Sequence, residues 1–319
     1  MNLNINANTN YSQQNAAPKK LLKIHTILWV GILLVGCAAG PGVILPPAAP
    51  QSPPVVMKAP LKIGLALGGG AARGFAHIGV IQVLEEAGIR PSLVVGTSAG
   101  SLVAALYASG KTGTQLQQVA ETMEEANFAD WTLPIFSRGM LRGEALGRYV
   151  SLQVKGRLME SLPLALGIVA TDLHNGKGVL FQRGDIATAV RASSAVPALF
   201  QPVQIGGRDY VDGGLVSPVP VRYARQMGAE LIIAVDISSA PESNAASDTL
   251  QILMQTFSIM SKSINNFELR EADVVVRPAL LGVASSDFGA RRRSIEAGRA
   301  AMLAMLPQLR TAMNGEKRK

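Results

Sequence analysis

The sequence predicts an α/β domain with a mostly parallel central sheet. Short apolar, β-branched runs alternate with helical stretches, two of those runs break into glycine-rich turns that open helices, and there is no repeat period. With 319 residues, 48% hydrophobic and 16% charged, the chain can bury one core of domain size.

Residues 1–18 are polar, rich in Asn and Gln and without apolar periodicity, the composition of a disordered extension. Lys19, Lys20 and Lys23 precede the apolar run 24–35, the layout of a secretory signal too short to span a bilayer comfortably. Leu34-Val35-Gly36-Cys37 resembles the lipobox of bacterial lipoproteins, and Cys37 is the only cysteine, so no disulfide forms within the chain. That resemblance implies cleavage before Cys37, so that 1–36 is the polar extension and signal peptide, with lipidation of Cys37 and a bilayer anchor, and Ala38 matching lipoproteins on the periplasmic face of the outer membrane. The other reading is an uncleaved inner-membrane signal anchor, which also leaves the domain in the periplasm. Residues 37–60 read as a tether, with seven prolines after the cysteine and a reach of several tens of ångströms at about 3 Å per residue.

The first β-loop-α unit begins at Leu61: a strand through Leu67, a glycine-rich turn, then a helix stopping before Gly88. Backbone amides at such a turn form an anion cradle. No Gly-Lys-Ser/Thr follows, which excludes a P-loop, and Arg73 stands where a dinucleotide fingerprint has its last glycine, so no cofactor is expected. The chemistry left for the loop is an oxyanion hole in which the amides of Gly68, Gly69, Gly70 and Ala71 receive charge. Arg73 beside Gly74 has three readings: steadying the loop, meeting an anionic headgroup, or forming a surface ion pair.

The second unit, 93–110, is the stretch around which the chain is organised. An apolar strand breaks into Gly96-Thr97-Ser98-Ala99-Gly100 and runs directly into a helix. A turn this tight needs small residues around its centre, supplied by Gly96 and Gly100, and it lifts the Ser98 hydroxyl above the sheet edge as a candidate nucleophile.

Residues 112–162 read as mainly helical, interrupted by an irregular stretch at 131–142 that is either a lid over lipid chains or a loop packed on the core. Strands follow at 166–170 and 178–181, a short helix at 186–193, and then Asp209-Tyr210-Val211-Asp212-Gly213-Gly214. Asp212 ends a strand and precedes two glycines, a setting that presents a carboxylate into a cleft, although Asp-Gly-Gly is also an ordinary hairpin signal. A parallel strand at 231–235, a polar loop at 240–248, a helix at 250–270, a strand at 274–276 and a helix at 295–306 complete the domain. A histidine base is disfavoured: His25 lies in the signal, His77 precedes Ser98, and His174 has only Asp130 and Asp172 between it and the serine.

The formal charge is +8, and Arg291-Arg292-Arg293 and Lys317-Arg318-Lys319 suit a solvated surface or anionic headgroups. Aromatics, at 5%, do not interleave with basic residues, so no nucleic-acid site is expected, and three histidines without an acidic ligand loop argue against a metal site.

Taken together, Gly68 to Gly74, Gly96 to Gly100 and Asp212 to Gly214 resemble the three signatures of the bacterial patatin-like phospholipases. The likeness extends to His77-Ile78-Gly79-Val80, Pro197-x-x-Phe200-x-Pro202 and Ala272-Asp273-Val274. It implies a three-layer αβα fold over 61–310, with 311–319 a basic tail, and a Ser98-Asp212 dyad acting on membrane lipids or lysophospholipids. Ala71 departs from the glycine that many relatives carry. The alternative is a catalytically inactive envelope lipoprotein that uses the fold for binding or assembly.

Overall fold

The computed structural model describes residues 60–124, 130, 138–238 and 248–315, all within the compact unit Lys58–Lys319. The signal, Cys37 and the tether, most of the 131–142 stretch, nearly all of the 240–248 loop and the last four residues of the basic tail lie outside the described residues. Among the described residues no helix is long and apolar enough to cross a membrane.

The parallel part of the sheet runs β8(Val274–Val276), β7(Leu231–Val235), β1(Ile63–Leu67), β2(Leu93–Thr97), β3(Ala165–Asp172). β4(Gly178–Phe181) and β6(Arg208–Asp212) pair antiparallel with β3, and β5(Val203–Ile205) forms a hairpin with β6. The central strands are buried on both faces, and the period of two sorts their side chains into two cores. Leu65, Leu67, Val94, Ile168 and Ile233 face one side, whereas Ala66, Val95, Val169, Ile232 and Ala234 face the other. The first core is roofed by α1(Ala76–Glu86), α2(Ala99–Ala108), α3(Gly113–Glu121), α4(Glu144–Val154), α5(Ile186–Ser193) and α8(Arg291–Met313). The second lies under α6(Val221–Gln226), with α7(Thr249–Glu268) following β7. The result is the expected three-layer αβα architecture.

Several helix starts follow from their sequences: Thr112 and Gln115 form a capping box on α3, and the Asp185 and Asp248 carboxylates cap α5 and α7. α8 departs from expectation, starting at Arg291 and continuing through Pro307 to Met313. Continuation carries Leu309 into the core, where it is fully buried. α8 also crosses α1 at backbone distance: a Cβ on Gly298 would stand 1.9 Å from the Ala76 carbonyl oxygen, and one on Gly79 2.0 Å from that of Ile295.

Candidate active site

Sheet register brings the two signatures together. Val169 of β3 pairs with Thr97 on one side and Leu180 of β4 on the other; Ala170, the next residue, pairs with Asp212 and Val179. Because β4 occupies one edge of β3, β2 and β6 share the opposite edge. They run toward each other and stop at Thr97 and Asp212, so Ser98 and Asp212 meet where the two strands end.

Ser98 sits at φ 53°, ψ −125°, a backbone conformation that costs a non-glycine residue about 1–3 kcal/mol and persists only where surroundings enforce it. Enforcement is steric: a Cβ on Gly96 would lie 2.3 Å from the Gly100 carbonyl oxygen, and one on Gly100 2.1 Å from that of Leu67. It is also polar. The Ser98 N–H donates to Ser193 Oγ at 2.9 Å, the Ser193 hydroxyl donates to the Val169 carbonyl at 2.6 Å, and the Ser101 hydroxyl donates to the Ser98 carbonyl at 2.6 Å. Ser193, fully buried near the end of α5, carries no motif in the sequence and is recognisable only from these contacts.

Asp212 is buried, and Gly213 and Gly214 begin a 3-10 turn rather than a hairpin. Gly213 has no room for a side chain against the Val169 carbonyl, and the Gly214 N–H donates to Asp212 Oδ1 at 2.7 Å. The Asp212 N–H is taken by the Ala195 carbonyl and its own carbonyl by the Thr171 hydroxyl, which locks the strand end. Oδ2 is buried without a partner at hydrogen-bond distance. Burial pushes the carboxyl up to about 6, opposed by the Gly214 N–H and by the nearby Ser98 hydroxyl.

The glycine loop lies against Ser98, whose Cβ is 3.1 Å from where a Cβ on Gly69 would stand. Its amides correct part of the sequence reading. Gly68 N–H is spent on the Val235 carbonyl and Gly69 N–H on that of Pro218, while Arg73 N–H closes back on Gly70 O; these three anchor the loop. The Gly70 and Ala71 amides have no partner among the described residues, and the free pair belongs to the loop's most exposed end. Ala71 takes φ 48°, where glycine is the easier residue. Arg73 is buried rather than a surface side chain, with Nε directed at the Gly70 carbonyl, and Gly74 packs against Ala99.

Neither of the two histidines among the described residues reaches Ser98 as a base. His77 is fully buried under the loop with Nε2–H donating to the Gly68 carbonyl at 2.8 Å, and burial lowers it to about 4, so it stays neutral. His174 is exposed on the turn after β3 and lines neither cavity beside Ser98.

Two cavities flank the serine. One, of about 200 Å³, runs between α2 and α3 and is walled by apolar side chains such as Leu102, Leu106, Leu116 and Phe200. The other, of about 300 Å³, contains Asp212, Gly70, Arg73 and four serines, Ser238, Ser258, Ser261 and Ser285. Ser98, Ala71, Val196 and Leu199 border both.

Comparison with known proteins points to one family. Residues 65–225 match the family model described as patatin-like phospholipase. An uncharacterised NTE-family protein of Mycobacterium tuberculosis is 37% identical over 180 residues, covering 56% of this chain and 50% of the relative. Patatin-like phospholipase domain-containing protein 6 of Homo sapiens is 35% identical over 190 residues, covering 57% of this chain and 14% of the relative. The chain thus spans half or less of the length of these relatives. Among solved structures, VipD from Legionella pneumophila superposes with a TM-score of 0.53 over 78% of this chain and 67% of that one, at 16% identity, a likeness of fold.

Proposed function

The chain belongs to the patatin-like phospholipase family, and on that premise we propose that it is a lipid acyl hydrolase working through a Ser98-Asp212 dyad. In this reading Ser98 Oγ attacks the ester carbonyl while its proton passes to Asp212 Oδ2. The Gly70 and Ala71 amides receive the oxyanion, and collapse of the tetrahedral species expels the alcohol, which takes the proton back from Asp212. Water then attacks the acyl-Ser98 ester, giving its proton to Asp212, and the acid leaves as Ser98 is reprotonated.

The observation that carries this reading is the Asp212 carboxyl: buried, with Oδ2 unpartnered, and close enough to the Ser98 hydroxyl to interact with it. A carboxylate near 4 is a weak base; raised to about 6 it remains ionised at neutral pH while holding a proton better. The two cavities divide the substrate, the apolar one taking the acyl chain and the serine-lined one the alcohol or headgroup side. Attachment to a bilayer through lipidated Cys37 on the periplasmic side belongs to the same proposal, and palmitate labelling lost in Cys37→Ser tests it.

The test of function is hydrolysis of p-nitrophenyl esters, diacyl phospholipid and lysophospholipid by the full chain. Ser98→Ala is expected to lower turnover about 10⁴-fold or more. Equal activity in parent and variant would overturn the assignment of the nucleophile.

A further inference from the structure

α7 carries an apolar stripe on its outer side. Its buried residues are Ser261, Asn265 and Glu268, all polar, whereas Ile252, Leu253, Ile259, Met260 and Phe267 are exposed, Ile252 at 54% and Phe267 at 68%. At 100° per residue those five fall within a sector of about 120°, opposite the buried polar positions. The inner side already has its apolar contacts from half-buried Met254, Phe257 and Ile264, so the outer stripe serves no core.

We propose that this outward face docks on a lipid bilayer, the source from which the Ser98 site takes its substrate; the proposal rests on the lipid-hydrolase reading above. Charge favours that occupant. The only acidic side chain within α7, Glu268, points inward onto the Ser217 hydroxyl at 2.6 Å and Arg222 at 3.2 Å, so the one exposed carboxylate at this helix is its N-cap, Asp248, which accepts from the Gln251 N–H. Exposed Lys262 stands on the same helix, and the Arg270 guanidinium sits over the Phe267 ring at 5.3 Å, the arrangement of an interfacial helix with basic side chains reaching to headgroups. In a symmetric dimer through this face, like charges would be drawn together instead. Position favours it as well. The inward side of α7 lines the Ser98 cavity through Met254 and Phe257, and the loop whose Ser285 lines the same cavity carries Leu281, 91% exposed. A bilayer touching both elements lies beside the site that its lipids enter.

The test uses the full chain carrying Cys37→Ser, so that an introduced cysteine is unique. Met260→Cys labelled with an environment-sensitive fluorophore is mixed with vesicles of phosphatidylethanolamine and phosphatidylglycerol. The emission is expected to move to the blue and to be quenched by brominated acyl chains, with Thr114→Cys as an unresponsive control. Ile252→Ser with Phe267→Ser is expected to lower hydrolysis of vesicle lipid about tenfold while leaving a soluble butyrate ester unaffected. An unshifted label overturns the proposal, as does an equal fall on both substrates. So does a label already blue without vesicles: dependence on protein concentration would indicate a second copy, and independence would indicate cover by residues 1–59. In a Ser98→Ala background the label still reports docking, so failure of the hydrolase reading and failure of docking remain separate results.

Discussion

The ends of β2 and β6 meet at one point yet hold their reactive groups in opposite ways. At the end of β2 the cost lies in the backbone: Ser98 is forced to φ 53° by two glycines and a buried serine, while its side chain is only partly covered. At the end of β6 the backbone is relaxed, with Asp212 at φ −49°, and the cost is electrostatic, a carboxylate desolvated with one oxygen unpartnered. In the proposed dyad this displays the nucleophile and hides the base, giving the proton a short path to a group that burial makes more willing to accept it. His77 shows that burial alone does not suffice: it is just as buried, but its Nε2–H is spent on a loop carbonyl.

The most severe way to break this contrast is Asp212→Asn, which keeps the shape and removes the proposed base; turnover should fall about 10³-fold. The same variant separates function from stability. Because burial raises the Asp212 carboxyl from 3.8 to about 6, the folded state holds this proton more tightly than the unfolded chain. The resulting stabilisation is complete below about pH 4 and is lost as pH rises through about 6. Asp212→Asn should therefore be more stable than the parent by about 3 kcal/mol at pH 8, with the difference vanishing near pH 3, as read by denaturant unfolding.

Next in size is the pH profile of the parent enzyme: kcat/KM on a soluble ester should fall about tenfold per pH unit below pH 6 as Asp212 is protonated. A limb near 4 would mean a solvated carboxylate. The smallest effect expected is that of Ser193→Ala, which leaves the Ser98 N–H unpaired; a loss of about tenfold in kcat with KM little changed would identify Ser193 as a positioning residue of the elbow.

The Ser98 side of the site was legible in the sequence because its requirements are local. A strand, two glycines around a serine and a helix of small residues lie within eighteen consecutive positions, 93–110, and the backbone distances at Gly96 and Gly100 are consequences of that order. The glycine loop was legible only as a loop. Which amides remain free depends on the Val235 and Pro218 carbonyls, some 150 residues away in the chain, and these claimed Gly68 and Gly69. Pro307 reads locally as a helix stop, but burial of Leu309 outweighs the lost backbone bond.

By itself the sequence determined the short continuous apolar runs, hence a sheet buried on both faces, and the short-range turn chemistry around Ser98 and Asp212. It also placed apolar residues on α7, without saying which way they face. The tertiary structure alone decided that β2 and β6 share one edge of β3, that Ser193 holds the elbow, and that α7 turns its Ile252-to-Phe267 stripe outward. These depend on strand register and on groups distant in the chain, and register is set by the summed fit of whole buried faces, a quantity no short stretch of sequence contains.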